Sequence, residues 1–290
     1  MPLEGMRAEE IRQEFGIVLD YLPGWAGLEA GEVTDDTCQM LAIAESYIER
    51  GALDTSDIAR RFVEWFTTDG RGIGRTTRAV LTRLADGESA ETAARAVARD
   101  LGDNAAGNGS LMRCAPTGLL RMRDTDARAR DSAAISAITH ADPRCIDSCM
   151  LMNAAIAHIL CDTTDAPLLP YLLDASQHLD ARVRAAVAAL PTLKPHSLRT
   201  GGYVLETLQA GLWAALHSRN FEEGMIALLT LGGDTDTTCA VGGALLGARF
   251  GMSDIPQRWL DGLKLRERVI AAADGLWRMA ASDDNSIQAN

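Results

Sequence analysis

The chain has 290 residues, 47% of them hydrophobic and 23% charged, which is enough apolar material for the core of one large domain or two small ones. Its 28 Lys and Arg stand against 40 Asp and Glu, a net charge of -12. That balance excludes a broad basic surface tracking a phosphate backbone, yet leaves room for one nucleotide-sized ligand in a local pocket.

No run approaches the roughly 20 apolar residues of a membrane helix, and the opening residues lack the apolar stretch of a secretion signal. A cytoplasmic protein with no membrane partner and no extended nucleic-acid surface is therefore expected. The six cysteines, Cys38, Cys114, Cys145, Cys149, Cys161 and Cys239, contain no C-x-x-C pair. They read as small buried hydrophobes in a reducing compartment, not as a zinc site.

Helical periodicity runs the length of the chain. Thr34 and Asp35 are cap-type residues ahead of Met40, Leu41, Ala44, Tyr47 and Ile48, and Gly51 is a stop. Asp54-Thr55-Ser56 opens a second helix through Ile58, Phe62, Trp65 and Phe66. Further helices are predicted at about Arg75–Ala85, Ala90–Leu101, Gly109–Met122, Ala127–Thr139 and Arg144–Cys161. The same pattern continues at about Leu179–Leu190, Tyr203–His217, Glu222–Leu231, Thr237–Phe250 and Pro256–Ala281. Strand alternation is absent and alanine is abundant, so an all-α class follows. No linker is long enough to divide the chain, and residues 1–290 read as one domain. The longest irregular stretch, from about Leu190 to Gly202, reads as a loop over a site or on the surface.

Two acidic clusters open helices: Thr34-Asp35-Asp36-Thr37 and Gly232-Gly233-Asp234-Thr235-Asp236-Thr237-Thr238. A single Asp in such a place is usually a cap for free backbone N–H groups. Two carboxylates and flanking threonines exceed what one cap uses. Crowded carboxylates repel unless a cation is present, and oxygen ligands without His or Cys select Mg²⁺, Mn²⁺ or Ca²⁺. Spacing alone leaves two readings: two independent caps, or two converging helix starts holding two ions. Gly232-Gly233 permits a sharp turn before Asp234. Gly242, Gly243 and Gly247 in the following apolar helix point to close backbone packing.

A third segment, Gly107-Asn108-Gly109-Ser110-Leu111-Met112-Arg113, places small polar residues before an apolar run. It reads either as an anion site at a helix start or as an ordinary Gly-rich turn with a Ser cap.

These segments, in this order, resemble the ADP-ribosylglycohydrolase family. The resemblance also rests on Pro2-Leu3-Glu4-Gly5-Met6, Thr139-His140, Gly202-Tyr203-Val204 with Thr207-Leu208, and Gly243-Ala244-Leu245-Leu246-Gly247. It covers nearly the whole chain. It implies an all-α orthogonal bundle with a centre of two Mg²⁺ or Mn²⁺ ions. By the same resemblance Thr34, Asp35, Asp36, Asp234, Asp236 and Thr237 are metal ligands. Glu4, Asp35 and Asp234 would carry catalysis. Gly107, Asn108, Gly109, Ser110, Met112, His140 and Tyr203 would bind substrate. The implied reaction is hydrolysis of the N- or O-glycosidic bond of an ADP-ribosylated protein or other ADP-ribosylated substrate, with ADP-ribose as product.

Three departures accompany the resemblance. The family's glycine-rich first helix, with its Gly-Asp-Ala-Leu-Gly run, precedes the Pro-x-Glu segment. Here Met1 directly precedes Pro2, so a fold without that helix is expected, with an apolar groove in its place and Glu4 on a frayed terminus. Thr139-His140-Ala141-Asp142-Pro143 lacks the second His of many members, and Gly74-Arg75 stands where many show Gly-Asn. A catalytically silent binder of ADP-ribose is the alternative function. Isoprenoid synthases need a further Asp after Asp35-Asp36-Thr37-Cys38-Gln39, and HD-type phosphohydrolases need an His-Asp pair that this chain lacks.

Overall fold

Fifteen α-helices joined by short connections make up a computed structural model that describes residues 2–23, 27–161 and 167–287. Among the described residues there is no strand, only two isolated bridges, Arg7 with Gly232 and Gly107 with Tyr203. The all-α expectation is met. The early helices follow their sequence signals: α1 Ala8–Glu14, α2 Asp35–Arg50, α3 Thr55–Thr68, α4 Arg75–Ala85 and α5 Ala90–Leu101. Asp54 accepts from the Asp57 N–H at 2.9 Å, and Ser89 from the Thr92 N–H at 3.3 Å, so α3 and α5 are capped as short polar side chains cap. Gly51 ends α2 with φ 72°.

The middle of the chain is α6 Ala115–Leu120, α7 Thr125–Ala137, α8 Pro143–Cys161, α9 Leu168–Ala175 and α10 Ala181–Ala189. The end is α11 Val204–His217, α12 Phe221–Leu229, α13 Thr235–Phe250, α14 Gln257–Gly262 and α15 Arg266–Ile287. Two predicted helices are corrected. The one expected over 109–122 begins only at Ala115, because residues 109–114 form successive turns, and Pro116 sits in the first turn where its missing N–H costs nothing. The one expected over 256–281 breaks at 263–265, where the Lys264 N–H leaves helical bonding to donate to the Gly31 carbonyl at 3.0 Å. The sequence reading also missed α1, whose only buried residue is Ile11, and the eight-residue α9.

Helix α8 corrects the reading on membrane length. Its 19 residues are long and apolar enough to cross a bilayer by composition alone, but more than half of them are buried inside the protein. It is the central helix, packed on α6, α7, α9, α10, α11 and α13. One core gathers Leu151, Met152, Leu208, Leu212, Val241 and Leu245 between α8, α11 and α13. A second gathers Ile43, Tyr47, Phe62, Leu81, Ile135 and Leu276 among α2, α3, α4, α7 and α15.

Gly242 lets α13 approach its neighbours, since a Cβ there would lie 2.0 Å from Leu228 Cδ1. Gly243 and Gly247 meet only ordinary contacts, so the packing role read from three glycines belongs to Gly242. An apolar groove of about 610 Å³ runs beside Leu3, Val18, Phe221, Met225, Trp259 and Val269. The expected frayed terminus is not observed. Gly5 N–H donates to Gly233 O and Gly233 N–H to Met6 O, both at 2.8 Å, and Leu3 is buried.

Candidate metal centre and ligand cavity

The two acidic helix starts converge. Carboxylate oxygens of Asp35, Asp36 and Asp236 lie within 4.8 Å of one another. Neither helix is capped by a side chain. Thr34 occupies the cap position of α2, but its hydroxyl donates to Asp36 Oδ2 at 2.9 Å. Asp234 occupies the cap position of α13, and its Oδ2 accepts from Asn108 Nδ2 at 2.8 Å. The reading of two independent caps therefore fails: the side chains that would cap bond instead to Asp36 and to Asn108.

The double glycine makes this possible. Gly232 and Gly233 hold φ of 73° and 71°, and a Cβ on Gly233 would lie 2.3 Å from the Thr200 carbonyl oxygen. The turn is clamped by Thr200, whose carbonyl accepts from Asp234 N–H at 2.6 Å and whose hydroxyl donates to Gly232 O at 2.6 Å. The same turn holds the N-terminal strip through Gly233 and brings Glu4 to the acidic cluster.

Burial and mutual repulsion make the cluster costly when bare. Burial pushes Asp35 up to about 7, with Asp234 and Glu4 adding repulsion. Burial, with Glu4 and Asp234 beside it, likewise pushes Asp236 up to about 7. Asp36 is raised well above the usual carboxylate range by burial, then by Asp35 and Asp236. Glu4 is raised by burial and by Asp234. Asp36 Oδ1 is buried with no hydrogen-bond donor. An acceptor-only carboxylate left in that state costs free energy unless a proton or cation meets it. An all-oxygen set of this kind suits a hard divalent ion.

A cavity of about 270 Å³ opens beside the cluster. Of the residues read from sequence, Glu4, Asp35, Asp234, Asp236 and Thr237 line it, as do Gly107, Asn108, Gly109, Met112 and His140. Thr34 and Asp36 lie behind its wall and join it through Asp35. The glycine loop is not a helix start. It is a turn whose Gly109 and Ser110 N–H groups donate to no carbonyl among the described residues. Ser110 does not face the cavity: it is buried, and its hydroxyl accepts from Ser136 Oγ at 2.9 Å. Tyr203 is also outside the wall. It bridges to Gly107, and its ring lies 5.7 Å from the Arg144 guanidinium.

The sequence reading missed Gly72, Thr76, Thr77, Asn104 and Gly202, all of which line the cavity. Gly72 covers the cluster, since a Cβ there would lie 2.6 Å from Asp35 Oδ1. The signal for Thr76 and Thr77 was present in the Gly74-Arg75 segment, noticed only as a departure. Arg75 is exposed, stands at the cavity edge and has no ion-pair partner among the described residues, which leaves it for an anionic ligand.

Known proteins share this sequence pattern and fold. The family model for ADP-ribosylglycohydrolase matches residues 1–286. ADP-ribosylarginine hydrolase Tri1 of Serratia proteamaculans is 31% identical, over 94% of this chain and 78% of that protein. ADP-ribosyl-[dinitrogen reductase] glycohydrolase of Rhodospirillum rubrum is 29% identical, over 97% of this chain and 91% of that protein. Among solved structures, an ADP-ribosylglycohydrolase-related protein complex superposes with a TM-score of 0.77 at 31% identity, covering 96% of this chain and 91% of that one. The chain belongs to the ADP-ribosylglycohydrolase family.

Proposed function

We propose that this member of the ADP-ribosylglycohydrolase family is a divalent-metal-dependent hydrolase. It cleaves the glycosidic bond between ADP-ribose and a modified group and releases ADP-ribose. The observation that carries the reading is the pair of uncapped helix starts whose carboxylates meet at one wall of a ligand cavity. Thr34, Asp35, Asp36, Asp234, Asp236 and Thr237 would hold two Mg²⁺ or Mn²⁺ ions. Bound there, such ions orient a ribose diol and lower the pKa of a water ligand.

The rest falls to the chain itself. Water must attack the anomeric carbon as the bond to the acceptor breaks through an oxocarbenium-like state. The Gly5 and Met6 backbone bonds to Gly233 hold the backbone beside Glu4 at the cluster, and its carboxylate would orient that water. Asn108 bridges Asp234 and Thr207, at 2.8 and 3.0 Å, and keeps the Asp234 carboxylate aimed. The free Gly109 N–H and the Arg75 side chain would supply donors for a diphosphate.

The relatives named for ADP-ribosylarginine make that linkage the first substrate to assay. Release of ADP-ribose from ADP-ribosylarginine with Mn²⁺, abolished by EDTA and restored by Mn²⁺, is the expected result. Full activity after complete metal removal would sink the metal assignment. The backbone bonds of Gly5 and Met6 to Gly233 speak against a mobile Glu4, one of two reasons, beside the missing first helix, to read the protein as a silent binder.

A further inference from the structure

His140 lies against the glycine loop, and of its two ring nitrogens only Nε2 has no hydrogen-bond partner among the described residues. Its Nδ1 is 2.8 Å from Thr139 Oγ1. That hydroxyl is in turn 2.6 Å from Arg113 Nη2. Arginine only donates, so the Thr139 oxygen accepts from Arg113. Its single hydrogen then has one acceptor within reach among the described residues, His140 Nδ1. A ring hydrogen on Nδ1 would leave the buried hydroxyl hydrogen without a partner, which costs free energy. The ring proton therefore belongs on Nε2. His140 lines the cavity, and a Cβ added to Gly107 or Gly109 would lie 3.4 or 3.3 Å from Nε2. Two missing side chains thus clear the space in front of that nitrogen.

Arg113 itself is locked. It is completely buried, donates to Gln39 Oε1, and lies 4.4 Å from the Phe62 ring centroid. Burial lowers its pKa only to about 10, so it stays charged.

We propose that Arg113 and Thr139 are positioning residues that fix His140 as a neutral Nε2–H tautomer, so that it offers one N–H donor to an oxygen of the bound ADP-ribosyl group. His140 is then a fixed donor, not an acid or base. This rests on the function proposed above for the identity of the ligand, but not for the tautomer. Burial and the nearby Arg113 hold the imidazole down to about 3, against a smaller opposite pull from Asp142. Asp142 is itself turned onto Arg144 at 2.7 Å, and the other side chains at the loop, Thr76 and Thr77, do not titrate.

The test is imidazole ¹⁵N spectroscopy of the full chain with Mg²⁺, His140 being assigned by its loss in His140→Gln. A neutral Nε2–H pattern, unchanged between about pH 5 and 8, is expected. Thr139→Val should give mixed tautomers and weaken binding of free ADP-ribose by about tenfold, while Thr139→Ser restores both. His140→Gln, whose amide nitrogen reaches the Nε2 position, should keep more affinity than His140→Asn. An Nδ1–H or imidazolium pattern in the wild type overturns the relay whatever the activity. An Nε2–H pattern without hydrolysis of ADP-ribosylarginine leaves the relay standing and overturns the function reading. Binding of ADP-ribose that leaves the Nε2 resonance unmoved overturns the ligand contact.

Discussion

Asp36 and Asp57 are the same residue in the same local setting with opposite electrostatics. Each sits in the first turn of a helix, α2 or α3, and each is buried. Asp57 receives Arg50, Arg60 and Arg61 at 2.6, 2.8 and 2.6 Å, and these arginines hold it well below the usual carboxylate range. Asp36 receives one hydroxyl, from Thr34, and faces Asp35 and Asp236. The chain supplies the counter-charge for the first carboxylate. For the second it supplies more negative charge, and the nearest buried cation, Arg113, is spent on Gln39 and Thr139. A buried acid is stable only when paired, so α3 is a finished structural node, whereas α2 brings an unpaired acid to the proposed metal site.

The largest effect that sharpens this contrast is on turnover. Asp36→Asn and Asp236→Asn should each lower hydrolysis of ADP-ribosylarginine on the order of 10³-fold. Circular dichroism melting of the metal-free variants should show no loss of stability, because each change removes a repelled charge. A large drop in melting temperature would place Asp36 with Asp57 as a structural acid. The next effect is ligand linkage. Mn²⁺ at about 100 times its dissociation constant adds about 2.7 kcal/mol to stability, or about 4–5 °C in melting temperature. Calorimetric scans with and without Mn²⁺ read this directly, and Asp36→Asn should shrink the shift while Asp57→Asn leaves it intact.

The contrast also shows what the sequence could carry. The acids of α2 and α13 were legible as excess capping residues, because two carboxylates and a threonine cannot share one cap. Their convergence was not, since spacing leaves open whether Thr34 and Asp234 cap their own helices. That answer depends on tertiary partners, Asp36 for Thr34 and Asn108 for Asp234. Helices α4 and α5 were legible to the residue because the apolar period is clear in both, and Ser89 caps α5 as well. Helix α1 was not, since its stability comes from Ile11 and from the backbone ties of residues 5–6 to Gly233, not from an apolar stripe. Ser110 was assigned to ligand by its place in a motif, and only packing shows that its hydroxyl meets Ser136. Gly72 carries no chemistry of its own, so nothing local marks it as the cover of Asp35.

An effect of similar size comes from the finished node. Asp57→Asn should lower the melting temperature by about 5 °C, since three arginines lose their shared acceptor. Activity measured well below that temperature should stay near the wild-type value. A turnover loss comparable to that of Asp36→Asn would mean that α3 carries the site and not merely the scaffold.

The smallest effect is a difference in pH slope, and its sign separates the two acids. In the metal-free protein Asp35 and Asp236 have been raised from 3.8 to about 7. A raised folded pKa means that the native state holds the proton longer than the unfolded chain does. Stability is then fully present below about pH 4 and falls as pH rises toward about 7. His140 works the other way. Lowered from 6.5 to about 3, it gives stability above about pH 6.5 that is lost on acidification. Asp57, held well below the usual carboxylate range, adds no slope in this window. The raw profile therefore mixes two opposing groups, and a single melting series does not separate them. Subtraction does. The wild-type melting temperature minus that of Asp236→Asn should fall by a few degrees between about pH 4 and 7, because the His140 contribution is common to both. With saturating Mg²⁺ the difference should reverse sign with pH, since protons must leave the carboxylates before the ion binds. A difference that is flat with pH in the metal-free protein would mean that Asp236 is not under repulsion. The likeness between Asp36 and Asp57 would then extend from sequence to energetics.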